Sequence, residues 1–356
     1  MRRSDLLQRG PPVVADLDRV AFSLQVQTDE VGLFGVVVCE HHAVASRPER
    51  GSRRGLIGPR QERNRFLTFG RCAPGQSGSV GPPFPSMTAP DREAATRLRL
   101  PEAICAVAEE VAGLLRSCKD ASVPIPGAEW TVGEAAAHLV LANELMAALA
   151  AGHEQVYGDG TPGGLAAANA ASLVSFPERD PSVLADGVVQ HARAFTEAAG
   201  LRPAATLTVT PLGPMDLGTL GSYLLTHMLG HGYDISLALG RPHMVDRDRV
   251  ALAMPFLITA MDRVVDARAA AGHRACYELR LRGLSRLTVT FTDGALAVHA
   301  EPPRRPDCTI MIDPITFFLL ALGRRTAAGA IARGKVLAWG RKPWLAPGFP
   351  ALFTAP

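Results

Sequence analysis

The stretch THMLGHGYDISLALGRP, Thr226 to Pro242, sets His227 and His231 four residues apart in an otherwise apolar run. Asp216 upstream is a helix cap, and Gly240 with Pro242 ends the pattern, so one helix is predicted from Asp216 to Gly240. Positions i and i+4 lie about 40° apart around a helix axis, so both imidazoles project from one face. Two imidazoles so placed can bind one divalent metal, as in a helical HExxH site. The pair alone is not specific. Ten His in 356 residues give about 0.3 such pairs by chance, and two ordinary helix residues fit equally well.

A third nitrogen ligand comes from AEWTVGEAAAHLVLANELMAALAAG, residues 128–152. Thr131 and Glu134 form the T-x-x-E of a capping box, and Gly152 closes the helix. His138 then falls on an apolar face with Ala135, Leu141 and Ala142, where a satisfied core histidine is the alternative. Further helical patterns cover PEAICAVAEEVAGLLRS from Pro101 and PSVLADGVVQHARAFTEAAG at 181–200. Four helices, with a long irregular connection over 152–180, predict a four-helix bundle.

Bundle interiors build metal sites from inward side chains on different helices. His138, His227 and His231 would supply three nitrogens and leave a fourth position open, the catalytic type of zinc site. Asp234 is placed to orient a ligand imidazole, or else to bond the last helical turn. Arg193 on the third helix is a candidate clamp for substrate carboxylates, or a solvated surface residue.

Outside this region the texture changes. Residues 1–86 carry 12 Arg, no Lys and stretches rich in Gly, Pro and Ser without sustained period. They read as a disordered leader, or as a mis-assigned start ahead of Met87, where the helical domain 87–242 begins. After Pro242 a linking helix over about 246–271 leads into alternating runs, CYELRLRGL and RLTVTFTDGALAVHAE, the second holding the hairpin signal Asp293-Gly294. DCTIMID and GKVLAWG read as two more strands, and Asp313-Pro314 starts a helix over PITFFLLALGRR. Residues 246–356 thus form a small α+β domain, and the fold class is α followed by α+β.

Composition narrows the partners. The net charge is +3 with 34 Arg against 3 Lys, and beyond the leader the balance is close to neutral, which argues against a nucleic-acid surface. Six scattered cysteines without a CxxC pair fit a reducing cytosol. MRRS is followed by no apolar signal core, and the early run VGLFGVVVC is far below the ~20 residues that cross a bilayer. A cytoplasmic protein with no membrane partner is expected.

AEWTVGEAAAHLV resembles the start of the second helix in the DinB-like metal-binding superfamily, in its mycothiol-dependent maleylpyruvate isomerase branch. HMLGHGYDISLALGRP resembles the fourth helix of that branch, where a ligand pair precedes Gly-aromatic-Asp and a Gly-Arg-Pro end. The branch often carries Glu first in this pair, so His227 is a departure that keeps a ligand and removes a charge. RPDCTIMIDPITFFLLALGRRTAAGAIARGKVLAWG is similar to the sterol-carrier-protein-like domain of many members. The resemblance, over roughly 90–350, implies a divalent metal, zinc by expectation, on His138, His227 and His231, with mycothiol as thiol cosubstrate. It implies that mycothiol thiolate adds to an electrophile. In the family reaction this is the cis double bond of maleylpyruvate, which rotates and eliminates to fumarylpyruvate. Transfer of mycothiol to another electrophile is the nearest alternative. Binding of an apolar ligand along ITFFLLALG is another.

Overall fold

The computed structural model describes residues 89–354, apart from 154, 156, 159–161 and 304. The leader 1–86 lies outside the described residues. In chain order the helices are α1 (Ala89–Arg116), α2 (Val132–Ala151), α3 (Pro162–Ser175), α4 (Pro181–Gly200), α5 (Leu217–Ala238), α6 (Arg247–Met261), α7 (Pro314–Ala321) and α8 (Ala327–Ala332). The strands are β1 (Leu207–Thr210), β2 (Gly213–Asp216), β3 (Ala275–Leu281), β4 (Ser285–Thr292), β5 (Ala295–His299), β6 (Cys308–Ile312) and β7 (Val336–Trp339). The protein is a mixed helical and sheet structure.

Side-chain caps start the helices that carry the histidines. The Thr131 hydroxyl accepts from the Glu134 amide at 3.3 Å, and the Glu134 carboxylate accepts from the Thr131 amide at 2.8 Å. This capping box begins α2, and Gly152 ends it at φ 93°, a left-handed conformation that glycine adopts without strain. Asp216 accepts from the Thr219 amide at 2.8 Å and begins α5.

α2 packs on α4 and α5, and α1 packs on the same two helices from the other side. Their shared interior holds Val107, Val111, Leu139, Leu184, Leu224 and Met228, each less than 2% exposed. By length and composition α2 is apolar enough to cross a membrane, and here two-thirds of that stretch is buried inside the protein.

Beyond α6 the sheet runs β5-β4-β3-β6-β7. β3 and β6 are parallel, with Leu279 opposite Ile310, and the other pairs are antiparallel. Asp293 (φ 53°) and Gly294 (φ 84°) make the β4–β5 turn, which needs both residues left-handed. α7 packs on α6, and α6 on α5, so the sheet-bearing half is seated against the helices.

Three stretches differ from expectation. The connection 152–180, expected to be irregular, contains α3, an Ala-rich segment with high helix propensity. The residues after β1, expected only to turn and cap, pair back as β2, with Thr210 opposite Gly213 at φ 93°. The linking helix stops at Met261 and a short 3-10 turn rather than near 271. Val265 bridges to Phe353, and the Asp266 carboxylate accepts from the Arg268 and Ala269 amides, which draws the chain out of the helix.

Candidate metal centre

α2 and α5 bring His138, His227 and His231 together, with ring nitrogens that all lie within 4.8 Å of one another. The ring centroids are 4.8 Å (138–227), 5.0 Å (138–231) and 4.7 Å (227–231) apart. The closest approach is Nε2 of His138 to Nε2 of His227, 2.9 Å. The capping box sets the start of α2 and hence the turn on which His138 falls. The i, i+4 spacing does the same for the pair on α5.

Burial decides the charge of these groups. It pushes His138 down to about 3, with His231 adding to the effect. Burial likewise holds His227 well below the ordinary histidine value, helped by His231, His138 and Arg324. His231 is lowered by burial, against the pull of the Asp234 carboxylate. All three are therefore neutral near pH 7, the state in which an imidazole has a lone pair to donate.

A stability consequence follows for metal-free protein. These folded-state values lie below the unfolded value near 6.5, so the unfolded chain binds more protons, and stability is lost as pH falls. For His138 the window runs from about 6.5 down to about 3. Thermal unfolding between pH 8 and 4 is expected to show a falling midpoint below pH 6.5. The slope should flatten in His138→Gln. An unchanged slope in that variant would show that His138 is not buried as a neutral ring.

Neighbouring groups hold the cluster in place. The ring of Trp130, next to the cap, stacks on His231 at 5.8 Å and tilts against His138 at 4.9 Å. Asp234 Oδ2 lies 3.6 Å from Nδ1 of His231, an electrostatic contact at the outer edge of hydrogen bonding. Arg324, between α7 and α8, grips that carboxylate with two donors, Nε to Oδ1 at 3.2 Å and Nη2 to Oδ2 at 2.8 Å. Burial raises Asp234, and the His231 and Arg324 contacts outweigh it, so the carboxyl sits below its ordinary value. The nearby Asp234 carboxylate favours the His231 tautomer with its proton on Nδ1, which leaves Nε2 as the ligand-capable nitrogen.

A cavity of ≈ 40 Å³ adjoins His138 and His227 and is lined by Tyr157, Asn169 and Tyr223 among others. The Tyr157 hydroxyl donates to Asn169 Oδ1 at 2.8 Å, tying the segment before α3 to that helix. Tyr223, one turn before His227, stacks on Phe256 at 4.2 Å, and burial, then Tyr157, pushes its hydroxyl up to about 12.

His227 Nδ1 is buried without a hydrogen-bond partner. An orphaned nitrogen among three neutral imidazoles, with no lysine or arginine donor inside the ring, fits a divalent cation of borderline softness.

Of the residues singled out in the sequence, His138, His227, His231 and Asp234 come together. Arg193 does not: it is exposed on α4 and pairs with Glu109 at 2.6 Å. Arg324, Tyr157, Asn169 and Tyr223 carried no sequence signal. Cys105, Cys118, Cys276 and Cys308 are free thiols outside the cavity lining.

These features define a protein whose helical half gathers three neutral histidines beside a cavity, braced from its sheet-bearing half. Residues 102–236 match the family model described as the mycothiol maleylpyruvate isomerase N-terminal domain, and residues 251–347 match the MDMPI C-terminal domain. With both domains present in order over well over half its length, the chain belongs to the mycothiol maleylpyruvate isomerase family.

Among solved structures, a histidine-to-alanine mutant of a mycothiol-dependent maleylpyruvate isomerase aligns at 12% identity, covering 68% of this chain and 91% of that one, with TM-score 0.40. Another structure of a mycothiol-dependent maleylpyruvate isomerase aligns at 13% identity, covering 64% and 88%, with TM-score 0.37. A stereoselective inverting sec-alkylsulfatase from Pseudomonas sp. aligns at 18% identity over 39% of this chain, with TM-score 0.27. The chain spans only 24% of that enzyme's length. No curated protein sequence matches the chain.

Proposed function

We propose that the protein is a metal-dependent isomerase of the maleylpyruvate isomerase kind, with mycothiol as its thiol cosubstrate and His138, His227 and His231 as its metal ligands. The convergence of three neutral imidazoles, His138 buried and His227 and His231 mostly so, beside a cavity carries this reading. A divalent metal held there, zinc in this reading, supplies a Lewis acid that yields a thiolate at pH 7, where a free thiol near pKa ~8.5 is mostly protonated. The chain's own groups do the rest. Asp234 fixes the His231 tautomer, Arg324 keeps Asp234 ionised, and the Trp130 ring walls off one side from water. Tyr157, Asn169 and Tyr223 line the small cavity beside the histidines, which must widen to admit an electrophile and the thiol.

In the proposed reaction the thiol sulfur bonds to one carbon of the cis double bond of maleylpyruvate. The resulting single bond rotates, and elimination restores the double bond as fumarylpyruvate and returns the thiol. In the same reading α1, α2, α4 and α5 constitute a four-helix bundle within 87–242, and 246–356 is the sterol-carrier-like unit. The free thiols suit a reducing, cytoplasmic setting.

The test is isomerisation of maleylpyruvate by purified protein with and without mycothiol. Dialysis against a chelator should abolish turnover, and one equivalent of zinc should restore it. Full mycothiol-dependent turnover in metal-free protein would overturn the metal assignment, and no isomerisation by metal-loaded protein would overturn the substrate.

A further inference from the structure

The sheet has a second face that the histidine centre does not use. Along β3 the side chains alternate: Tyr277, Leu279 and Leu281 enter the core, and Glu278 and Arg280 turn to the opposite face. There a cleft of ≈ 540 Å³ is lined by Arg280, Arg286, Arg305, Arg341, Glu278 and Trp339, with no residue in common with the histidine cavity. Its size falls in the range of small-molecule sites.

The charge in this cleft is unbalanced. Glu278, 4% exposed, pairs with Arg280 at 2.9 Å and accepts from the Thr309 hydroxyl at 3.2 Å. Arg341 lies 3.9 Å from Asp307, a carboxylate that Lys342 already contacts at 3.2 Å. Among the described residues, Arg286 and Arg305 form no ion pair. The Arg280 guanidinium carbon lies over the Trp339 ring, 5.4 Å from its centroid, and its Nε is buried without a partner. Four guanidinium groups around one cleft match a ligand with several oxyanions, because each guanidinium presents paired donors to a phosphate. Beyond residue 86 the chain is close to neutral overall, which argues against a nucleic-acid surface.

We propose that this cleft binds a small oligophosphate, supplied as a nucleotide or as a free phosphate chain, at a site separate from the histidine centre.

The test is calorimetric titration of the full-length protein in 0.1 M salt with inorganic tripolyphosphate and, separately, with a nucleoside triphosphate. Saturable binding with one site per chain is expected. The pair Arg286→Ala and Arg305→Ala, both exposed, should weaken it at least about tenfold with unfolding midpoint unchanged. The same charge loss elsewhere, Arg268→Ala with Arg333→Ala, should change affinity by less than about twofold. Binding should persist in His138→Ala, His231→Ala protein. Tighter binding of the nucleoside triphosphate identifies a nucleotide, and equal affinities identify the phosphate chain. Absence of saturable binding to both probes would overturn the proposal, as would equal weakening in the control pair or loss in a histidine variant that keeps the wild-type unfolding midpoint. So would binding restricted to RNA or to anionic vesicles.

Discussion

Protein carrying His138→Ala and His231→Ala together is expected to retain no bound divalent metal and to lose mycothiol-dependent turnover by at least about 10³-fold, ~4 kcal/mol of barrier. One variant removes a ligand from each helix, so the remaining His227 cannot hold the ion alone. Because His138 is 6% exposed, the substitutions also open space in the core, and loss of activity by itself would not separate metal loss from poor folding. His227→Glu makes that separation. A carboxylate is still a ligand, so this variant should keep about one metal per chain by elemental analysis, and His227→Ala should lose most of it. Retained metal in the double variant would exclude the three-histidine centre. Loss of metal in His227→Glu with equal unfolding stability would show that this nitrogen cannot be exchanged for oxygen.

Arg324→Ala is expected to have the second-largest effect, although Arg324 is not placed as a ligand. Its two-pronged grip on Asp234 joins side chains only 13% and 23% exposed. Removing it leaves a mostly buried carboxylate next to His231 without its cation. A stability loss of ~1.5–3 kcal/mol is expected for such charge-assisted bonds, toward the lower end because Arg324 is partly solvated. Metal affinity should fall about 10–100-fold as His231 loses its orientation. Arg324→Lys should not rescue it, since an ammonium cannot supply both donors in the same plane. Arg325→Ala, one residue away, should stay within ~0.5 kcal/mol. A double-mutant cycle with Asp234→Asn should return a coupling energy, and strict additivity would show that the contact is incidental.

The parts that were legible in the sequence are those with local grammar. Thr131, Glu134 and Gly152 delimit α2, Asp216 opens α5, and Asp293-Gly294 closes a hairpin, each through contacts within a few residues. Those signals also set the positions of His138, His227 and His231. What stayed hidden depends on distant contacts. Arg324 is one of 34 arginines in the chain, and nothing within GRRTAAG distinguishes it from Arg325. β2 exists only because Thr210 and Gly213 return the chain on itself, and the linking helix ends where Phe353 captures Val265. Tyr157 and Asn169 reach the cavity because α3 forms in a stretch without a strong amphipathic period. Arg193, readable from the sequence as a clamp or as a solvated surface residue, is exposed and pairs with Glu109 on α1.

The glycines beside His231 bear on how the protein comes into being. A Cβ at Gly232 would meet Met244 Sδ at 2.7 Å and Val111 Cγ2 at 3.0 Å, and one at Gly230 would meet Leu322 at 3.1 Å. Both positions therefore let neighbours press close to the backbone, and each weakens the isolated helix by about 1 kcal/mol relative to alanine. The segment that carries two of the three histidines thus depends on partners made before and after it. His138 precedes His227 by 89 residues, and Arg324 follows Asp234 by 90. At ribosomal speeds each of those intervals lasts on the order of ten seconds. A nascent chain therefore passes through a long period with its histidines exposed and unbraced, open to stray copper or nickel. In the metal-dependent reading, the metals free in the cell during synthesis bear on which ion the finished protein carries, alongside the preferences of the completed site.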